Sequence, residues 1–332
     1  MNKPRSIPSL ALLLTLALLT ACGGKAPPPK PEVLSQADYY LSRGSQAYAN
    51  GDWVTATEMF QKGLAVYRSI DLPEGMAMAN LNLAQTSIMV GNLTAAERHL
   101  DLAQVTVARE KGLEEVGQRI VLGRAAVAAR QGDAEQAQTL LATLLPNFKE
   151  DGRPEGGLKP IQLSALFDRT SLAVDGDDID QAQLWMTRLN KAVDGDKPDD
   201  PRLLGRFDLL HGRLHLKQGE AETALADFAL ALEHYRGGLY RPGIAATLTE
   251  WSDAEVVLDR WQQARETLIR ALRVRLWLLD RAGTIAVLER IAKIDTHLGH
   301  PEHVQEIQNW IEAIRNGDPA QWGPLRPEVI PP

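Results

Sequence analysis

The feature that most constrains this chain is a turn that recurs about every 40 residues. Glycine occupies the turn at Gly51, Gly91, Gly132, Gly219 and Gly299, and aspartate takes the same place at Asp177 and Asp259. Seven residues before each turn lies a small or hydroxyl-bearing residue: Gly44, Ala84, Ala125, Thr170, Gly212, Ser252 and Ala292. Because one alignment satisfies both columns, the sequence predicts an array of seven similar units rather than one large core.

Each unit carries the pattern of a helical hairpin. Five residues after the turns come Ala56, Ala96, Ala137, Ala182, Ala224, Ala264 and Val304, and four residues later come Phe60, Leu100, Leu141, Met186, Phe228, Leu268 and Gln308. Apolar residues three and four apart predict two amphipathic helices per unit. The small residues allow the two helices to approach closely, and the large apolar residue fills the space beside them. One hairpin cannot bury its apolar face alone, so we expect the units to stack.

Three segments show this order of residues most clearly. They are "RGSQAYANGDWVTATEMFQKGL" (43–64), "LAQTSIMVGNLTAAERHLDLA" (83–103) and "HGRLHLKQGEAETALADFALAL" (211–232), and they resemble the tetratricopeptide repeat. The resemblance implies an all-α fold, a right-handed α-solenoid of helical hairpins, with a period near 40 residues instead of the family's usual 34 or so. The fourth unit matches more weakly, and the seventh departs most, as is typical of a capping unit.

The N-terminal residues resemble a bacterial lipoprotein signal. Lys3 and Arg5 precede an apolar run from Leu10 to Leu19, which is shorter than the roughly 20 residues that span a bilayer. The sequence "LTAC" (19–22) resembles a lipobox and ends in Cys22, the only cysteine. The resemblance implies that Cys22 is lipidated and becomes the mature N-terminus, while an ordinary secretory signal is the alternative. Gly23 stands where many Gram-negative lipoproteins retained at the inner membrane have aspartate, so we expect outer-membrane sorting with the chain facing the periplasm.

The chain divides into four regions by composition. We predict a signal peptide at 1–21, a lipidated cysteine and Pro-rich tether at 22–36, the solenoid at 37–316 and a Pro-rich tail at 317–332. The tail is either loose or a strap packed through Trp322. Two segments rich in proline, glycine and polar residues, 146–160 and 194–201, are either hinges or long loops.

Charge and motifs exclude several classes of function. The formal net charge is −7, and loss of Lys3 and Arg5 with the signal makes it more negative, which opposes nucleic-acid binding. The sequence contains no GxSxG, HExxH, phosphate-binding loop or CxxC motif. His211 and His215 have a spacing that suits a metal but are expected to pack between helices. His297, His300 and His303 are interpreted as exposed histidines at a turn, so no metal or cofactor is predicted.

The candidate site is the concave face. In the tetratricopeptide family the first helix of each unit binds extended peptides or partner helices on that face. Carried over by position, the face contains Leu81, Asn82, Gln85, Arg119, Arg206, Arg213, Glu250 and Asp253. The amides of Asn82 and Gln85 can satisfy a peptide backbone. Arg206 and Arg213, with Lys217, form a basic strip suited to carboxylates, and solvated surface charge is the alternative.

These resemblances imply a non-catalytic scaffold or assembly factor anchored in the outer membrane through its N-terminal lipid. Its expected partners are envelope proteins bound in the groove as an extended peptide or a helix. The machine that it helps to assemble or localise would be of the pilus, secretion or outer-membrane assembly type. A regulator of peptidoglycan synthases or hydrolases is the first alternative. An enzyme with an unrecognised site in the fourth unit or the tail is the second.

Overall fold

The computed structural model describes residues 31–195 and 197–317. The predicted signal peptide, Cys22, nearly all of the tether and the tail from residue 318 lie outside these residues. Within them the chain forms fourteen helices: α1 (Glu32–Ala49), α2 (Trp53–Ser69), α3 (Pro73–Met89), α4 (Leu93–Val107), α5 (Glu114–Gln131), α6 (Ala134–Ala142), α7 (Pro160–Asp175), α8 (Ile179–Gly195), α9 (Pro201–Lys217), α10 (Ala221–Gly237), α11 (Arg241–Val257), α12 (Trp261–Trp277), α13 (Arg281–Leu298) and α14 (Pro301–Asn316). None of these helices combines the length and the apolar character that crossing a bilayer requires.

The helices pair in chain order into seven hairpins, from α1 with α2 to α13 with α14. The predicted all-α solenoid of helical hairpins is therefore confirmed. Asparagine or aspartate caps several of the second helices: Asp52 accepts from the Thr55 backbone N–H at 3.0 Å, and Asn92 does so from Ala95 at 3.1 Å. These caps follow directly after the turn glycines, because a left-handed residue ends one helix and a side-chain acceptor begins the next.

Close packing within a hairpin depends on the small residue of the first helix. A Cβ atom added to Gly44 would lie 2.5 Å from Cε1 of Phe60, and one added to Gly212 would lie 2.4 Å from Cε1 of Phe228. Both phenylalanines are almost completely buried. The predicted pairing of a small residue with a large apolar residue is thus present in the first and fifth units.

Two local features differ from the sequence interpretation, and a third decides between its alternatives. Helix α1 begins at Glu32, before the predicted solenoid start at 37. In the seventh unit Ile307 packs inward and Gln308 is exposed, so the side-chain register shifts by one residue there. Segment 146–160, predicted as either a hinge or a long loop, is a long loop that folds back on itself and packs on a helix. Phe148 and Pro154 form an antiparallel bridge, and the Phe148 ring packs edge-on against Trp185 of α8 with centroids 6.0 Å apart.

The odd-numbered helices line the inner side of the solenoid's curve. Each of α1, α3, α5, α7 and α9 contacts the next odd-numbered helix. Within the described ranges no two even-numbered helices make contacts of that extent. Elements on the inside of a curve lie closer together than those on the outside, so the first helix of each hairpin faces the concave side and the second faces outward.

Candidate functional site

The inner face of the last four units carries a row of ion pairs between successive odd-numbered helices. We call it the ion-pair row and define it as Asp168–Arg206, Asp175–Arg213–Glu250 and Asp253–Arg290. It runs through α7, α9, α11 and α13. Four of the predicted site residues, Arg206, Arg213, Glu250 and Asp253, belong to it. The structure therefore brings these four residues onto one surface.

Each predicted arginine of the row is paired with acidic residues. Arg206 Nη2 donates to Asp168 Oδ1 at 2.5 Å. Arg213 pairs with Asp175, and its Nε lies 3.5 Å from Glu250 Oε1. Lys217 Nζ donates to the backbone carbonyl of Val174 at 3.0 Å. Carboxylates and a backbone carbonyl of neighbouring units thus lie against the predicted basic strip, so a partner's carboxylates would have to exchange with them.

A cavity adjoins the C-terminal end of the row. Its volume is about 730 Å³, and it lies between α11, α12 and α13. Asp253 and Arg290 line it, joined by an ion pair of 3.3 Å. The Trp261 ring stacks on His297 with centroids 3.7 Å apart, and the exposed Lys293 stands at the same cavity. The cavity thus combines an aromatic wall with groups of both charges.

The remaining predicted residues lie in the second and third units, and two of them are buried. Leu81 has no exposed surface and belongs to the hydrophobic core around Leu100. The side chain and backbone of Asn82 together are only 8% exposed to solvent. The prediction that these two residues lie on an exposed face is therefore wrong. The cause is local: Leu81 belongs to the core that α3 shares with α4 and α5, so the position carried over from the family falls on a packed side of α3.

Gln85 and Arg119 remain partly exposed. Arg119 Nη1 lies 3.6 Å from Met78 Sδ across α3 and α5. Burial lowers the pKa of the Arg119 guanidinium from its ordinary value. These two residues lie apart from the ion-pair row, so the candidate site is concentrated in units four to seven.

Three members of the row, Asp168, Asp175 and Arg290, were not predicted from the sequence. A signal for them exists, because each pair joins opposite charges about one repeat apart. The separations are 38 residues for Asp168 and Arg206, 38 for Asp175 and Arg213, and 37 for Asp253 and Arg290. Opposite charges at repeat spacing on the first helices would have identified the row.

Glu250 lies in the middle of the row and has a perturbed pKa. Its pKa is raised above the ordinary value, chiefly because burial removes it from water, while Arg213 opposes the rise. A carboxyl whose pKa is raised in the folded state binds protons more tightly folded than unfolded. The free energy of unfolding therefore falls as pH rises from the unfolded pKa, near 4.5, through the raised folded pKa.

We expect Glu250→Gln to remove this dependence. The variant should match the wild type below pH 4.5 or so and gain stability relative to it towards pH 7. Denaturant unfolding at the two pH values measures the difference. Glu222→Gln is the control, because that side chain is 64% exposed and its replacement should change little with pH. A Glu250→Gln variant that loses relative stability as pH rises would mean that the pair with Arg213 outweighs burial.

The turn of the first hairpin folds back onto the sixth unit. Gly51 is buried, and a Cβ atom at its position would lie 2.4 Å from Leu278 Cδ2 and 3.4 Å from Pro242 Cδ. The other turn glycines, Gly91, Gly132, Gly219 and Gly299, have no atom within 4 Å of such a Cβ in the described structure. The first turn is thus distinguished from its equivalents by a contact with a distant unit.

Polar contacts reinforce this closure. Arg241 Nη1 donates to the Asn50 carbonyl at 3.3 Å, across 191 residues of chain. The same guanidinium lies 3.8 Å from the centroid of the Trp277 ring. Tyr48 is partly buried, and its pKa is raised by burial and by Tyr240. The curve of the solenoid therefore closes on itself, which restricts access to the inner face.

Comparison with known proteins supports the fold. No protein-family model matches the chain, and no curated protein matches it significantly. A Rap protein complexed with competence and sporulation factor has a TM-score of 0.59 and 13% identity over 84% of this chain and 77% of that one. The Cut9–Hcn1 hetero-tetramer of APC/C has a TM-score of 0.52 and 14% identity, over 92% of this chain and 57% of that one. A tetratricopeptide repeat protein from Parabacteroides merdae has a TM-score of 0.40 and 14% identity, over 85% of this chain and 100% of that one.

The repeat, the hairpins and the two neighbours with TM-scores of 0.59 and 0.52 define the fold. The chain has the fold of a tetratricopeptide-repeat solenoid. Identities of 13–14% support the fold alone, so they assign no partner to this chain.

Proposed function

We propose that this protein is a non-catalytic interaction scaffold that binds another protein on the inner face of units four to seven. The observation that carries the proposal is the cavity of about 730 Å³ beside Asp253 and Arg290. Pockets of roughly 300–1,000 Å³ with an apolar wall and a few polar groups hold small molecules, so a cavity of this size can take the side chains of a bound segment. Trp261 supplies the apolar wall, and Lys293 and Glu289 supply charged groups at the same cavity.

The partner that suits this surface is an extended segment or a single helix. The closure between the first and sixth units restricts the entrances to the inner face, which disfavours a globular domain. The row offers alternating charges, so a segment carrying both signs could exchange its own ion pairs for those within the row. The Rap protein of similar fold was solved with competence and sporulation factor, which supports partner binding as a use of such a solenoid.

The proposed setting is the bacterial envelope. The "LTAC" sequence supports lipidation of Cys22, and a lipid-anchored cysteine followed by a Pro-rich tether would hold the solenoid near the outer membrane on its periplasmic side. In this setting the scaffold helps to assemble or localise an envelope machine of the pilus, secretion or outer-membrane assembly type.

In-cell photocrosslinking tests the proposal. A photoreactive residue replaces Lys293, which is exposed at the cavity, and separately Val54, which is 68% exposed on the outward-facing α2. We expect one dominant envelope protein to be crosslinked at Lys293 and absent at Val54. Identical adducts at both positions, or none at Lys293, would contradict the proposal. Recovery of a peptidoglycan hydrolase or synthase would assign the scaffold to cell-wall regulation instead.

A separate variant tests the lipid anchor. Cys22→Ser removes the thiol that would be acylated, so the protein should move from the membrane fraction and lose labelled palmitate. An unchanged membrane fraction and unchanged labelling would refute the lipid anchor. That result would not bear on the proposed binding site of the inner face.

A further inference from the structure

The turn between α13 and α14 brings together three side chains that can bind a metal. Gly299 adopts a left-handed conformation, with φ +82°, and ends α13. His300 is the N-cap residue of α14 and Pro301 its first residue. N-cap and N3 side chains lie side by side at a helix start. His300 and His303 occupy these positions, and their ring centroids are 5.1 Å apart.

Glu302 completes the group. Its Oε1 lies 3.7 Å from His300 Nδ1 and 3.8 Å from His303 Nε2. One ligand atom from each of the three residues fits within a span of 4.8 Å. Zinc bound tetrahedrally, with bonds of about 2.0–2.2 Å, holds its ligand atoms about 3.4 Å apart. Small side-chain rotations therefore suffice to bring the three atoms to zinc-binding distances.

A buried carboxylate behind His303 is an independent second observation. His303 Nδ1 lies 3.6 Å from Asp295 Oδ2, and this nitrogen is buried without a hydrogen-bond partner in the described structure. Asp295 has no exposed surface and is fixed by Arg265, whose Nε donates to it at 2.5 Å. Histidines that bind metals usually direct their other ring nitrogen at a carboxylate, which orients the ring and fixes the tautomer. His303 has this arrangement, with Nε2 facing Glu302.

We propose that His300, Glu302 and His303 bind one Zn²⁺ ion, with water at the fourth position. Two imidazoles and one carboxylate form a ligand set that suits zinc better than calcium or magnesium, which prefer oxygen ligands alone. This departs from the sequence interpretation of these histidines as ordinary exposed turn residues. The bound ion would join the N-terminal turn of α14 to α13 through Asp295, and would thus stabilise the last hairpin beside the proposed binding cavity.

Titration of the full-length protein in detergent with zinc chloride, followed by calorimetry, tests the site. We expect one Zn²⁺ per chain. His303→Asn and Glu302→Gln should each weaken binding by about tenfold or more, since loss even of an outer-shell partner costs about 10–100-fold. His234→Asn is the control, because His234 lies far along the chain and pairs with Asp208 at 2.6 Å. Its zinc affinity should equal that of the wild type.

A second readout separates a built site from an adventitious ion. Zinc should raise the melting temperature of the wild type and of His234→Asn, and should leave that of Glu302→Gln unchanged. Glu302 is 66% exposed, so this variant keeps the test valid if His303→Asn folds poorly. Wild-type zinc affinity in both ligand variants, or no stoichiometric binding by the wild type, would mean an adventitious ion only and would overturn the proposal. X-ray absorption at the zinc edge should show two imidazole ligands.

Discussion

Asp295→Ala is expected to lower the free energy of unfolding by about 3–5 kcal/mol, measured without added metal. Asp295 on α13 and Arg265 on α12 form an ion pair whose side chains are 0% and 3% exposed. Removing the carboxylate leaves a guanidinium in a site that excludes water, and the cost of that desolvated charge is no longer offset by the pair. The effect is large because it reflects a buried charge, not the loss of one hydrogen bond.

A matched pair on the inner face gives the control. Asp253 and Arg290 also join neighbouring helices, but their side chains are 37% and 39% exposed. Asp253→Ala should therefore cost no more than about 1 kcal/mol. The double variant Arg265→Met with Asp295→Leu should recover most of the loss, because well-packed apolar residues can replace a buried pair at little cost. Equal losses for Asp295→Ala and Asp253→Ala in denaturant unfolding would show that burial does not set the energy of the pair.

The fold could be predicted because the repeat imposes the same packing problem seven times. Gly44 and Phe60 recur as a small residue and a large residue in the same columns, and the structure places each close against the other. A residue type that recurs at the same position of several units indicates shared packing, even where one unit departs from the pattern. The seventh unit shows the limit, because Ile307 packs inward where the column predicted residue 308.

The site could be predicted only in part. Position within a repeat identified Arg213 and Glu250 as inner-face residues, but it treated every first helix alike. The prediction for Leu81 failed because its side of α3 packs into the core formed with α4 and α5, and the repeat position alone does not show which side of a first helix is packed. The pairing of Arg213 with Asp175 shows only when two units are compared, because the two charges lie 38 residues apart.

The closure between the first and sixth units leaves no local signal in the sequence. Gly51 stands in the same column as Gly91, and both adopt a left-handed conformation, with φ of +78° and +76°. Only the accumulated curvature of the intervening units brings Gly51 to Leu278. A contact of this kind depends on the sum of many small angles, which no motif records.

Gly51→Asn should therefore destabilise the protein by about 1–3 kcal/mol more than Gly91→Asn. Asparagine tolerates the left-handed conformation better than most residues, so backbone strain is nearly the same in both variants. At Gly91 the side chain enters open space, whereas at Gly51 it meets Leu278 and Pro242 and buries an amide there. The difference between the two variants isolates the cost of disturbing the closure.

Hydrogen exchange shows which parts of the chain lose stability in Gly51→Asn. If the contact between the first and sixth units holds the solenoid closed, Gly51→Asn should increase exchange at the start of α11 and the end of α12, where Arg241 and Trp277 lie. Gly91→Asn should leave exchange there unchanged. Arg241→Ala should increase exchange at the turn around Asn50 for the same reason. Equal stability and equal exchange in the two glycine variants would mean that the contact is too weak to close the solenoid. The inner face would then be open to larger partners, because the first hairpin would no longer restrict its entrance.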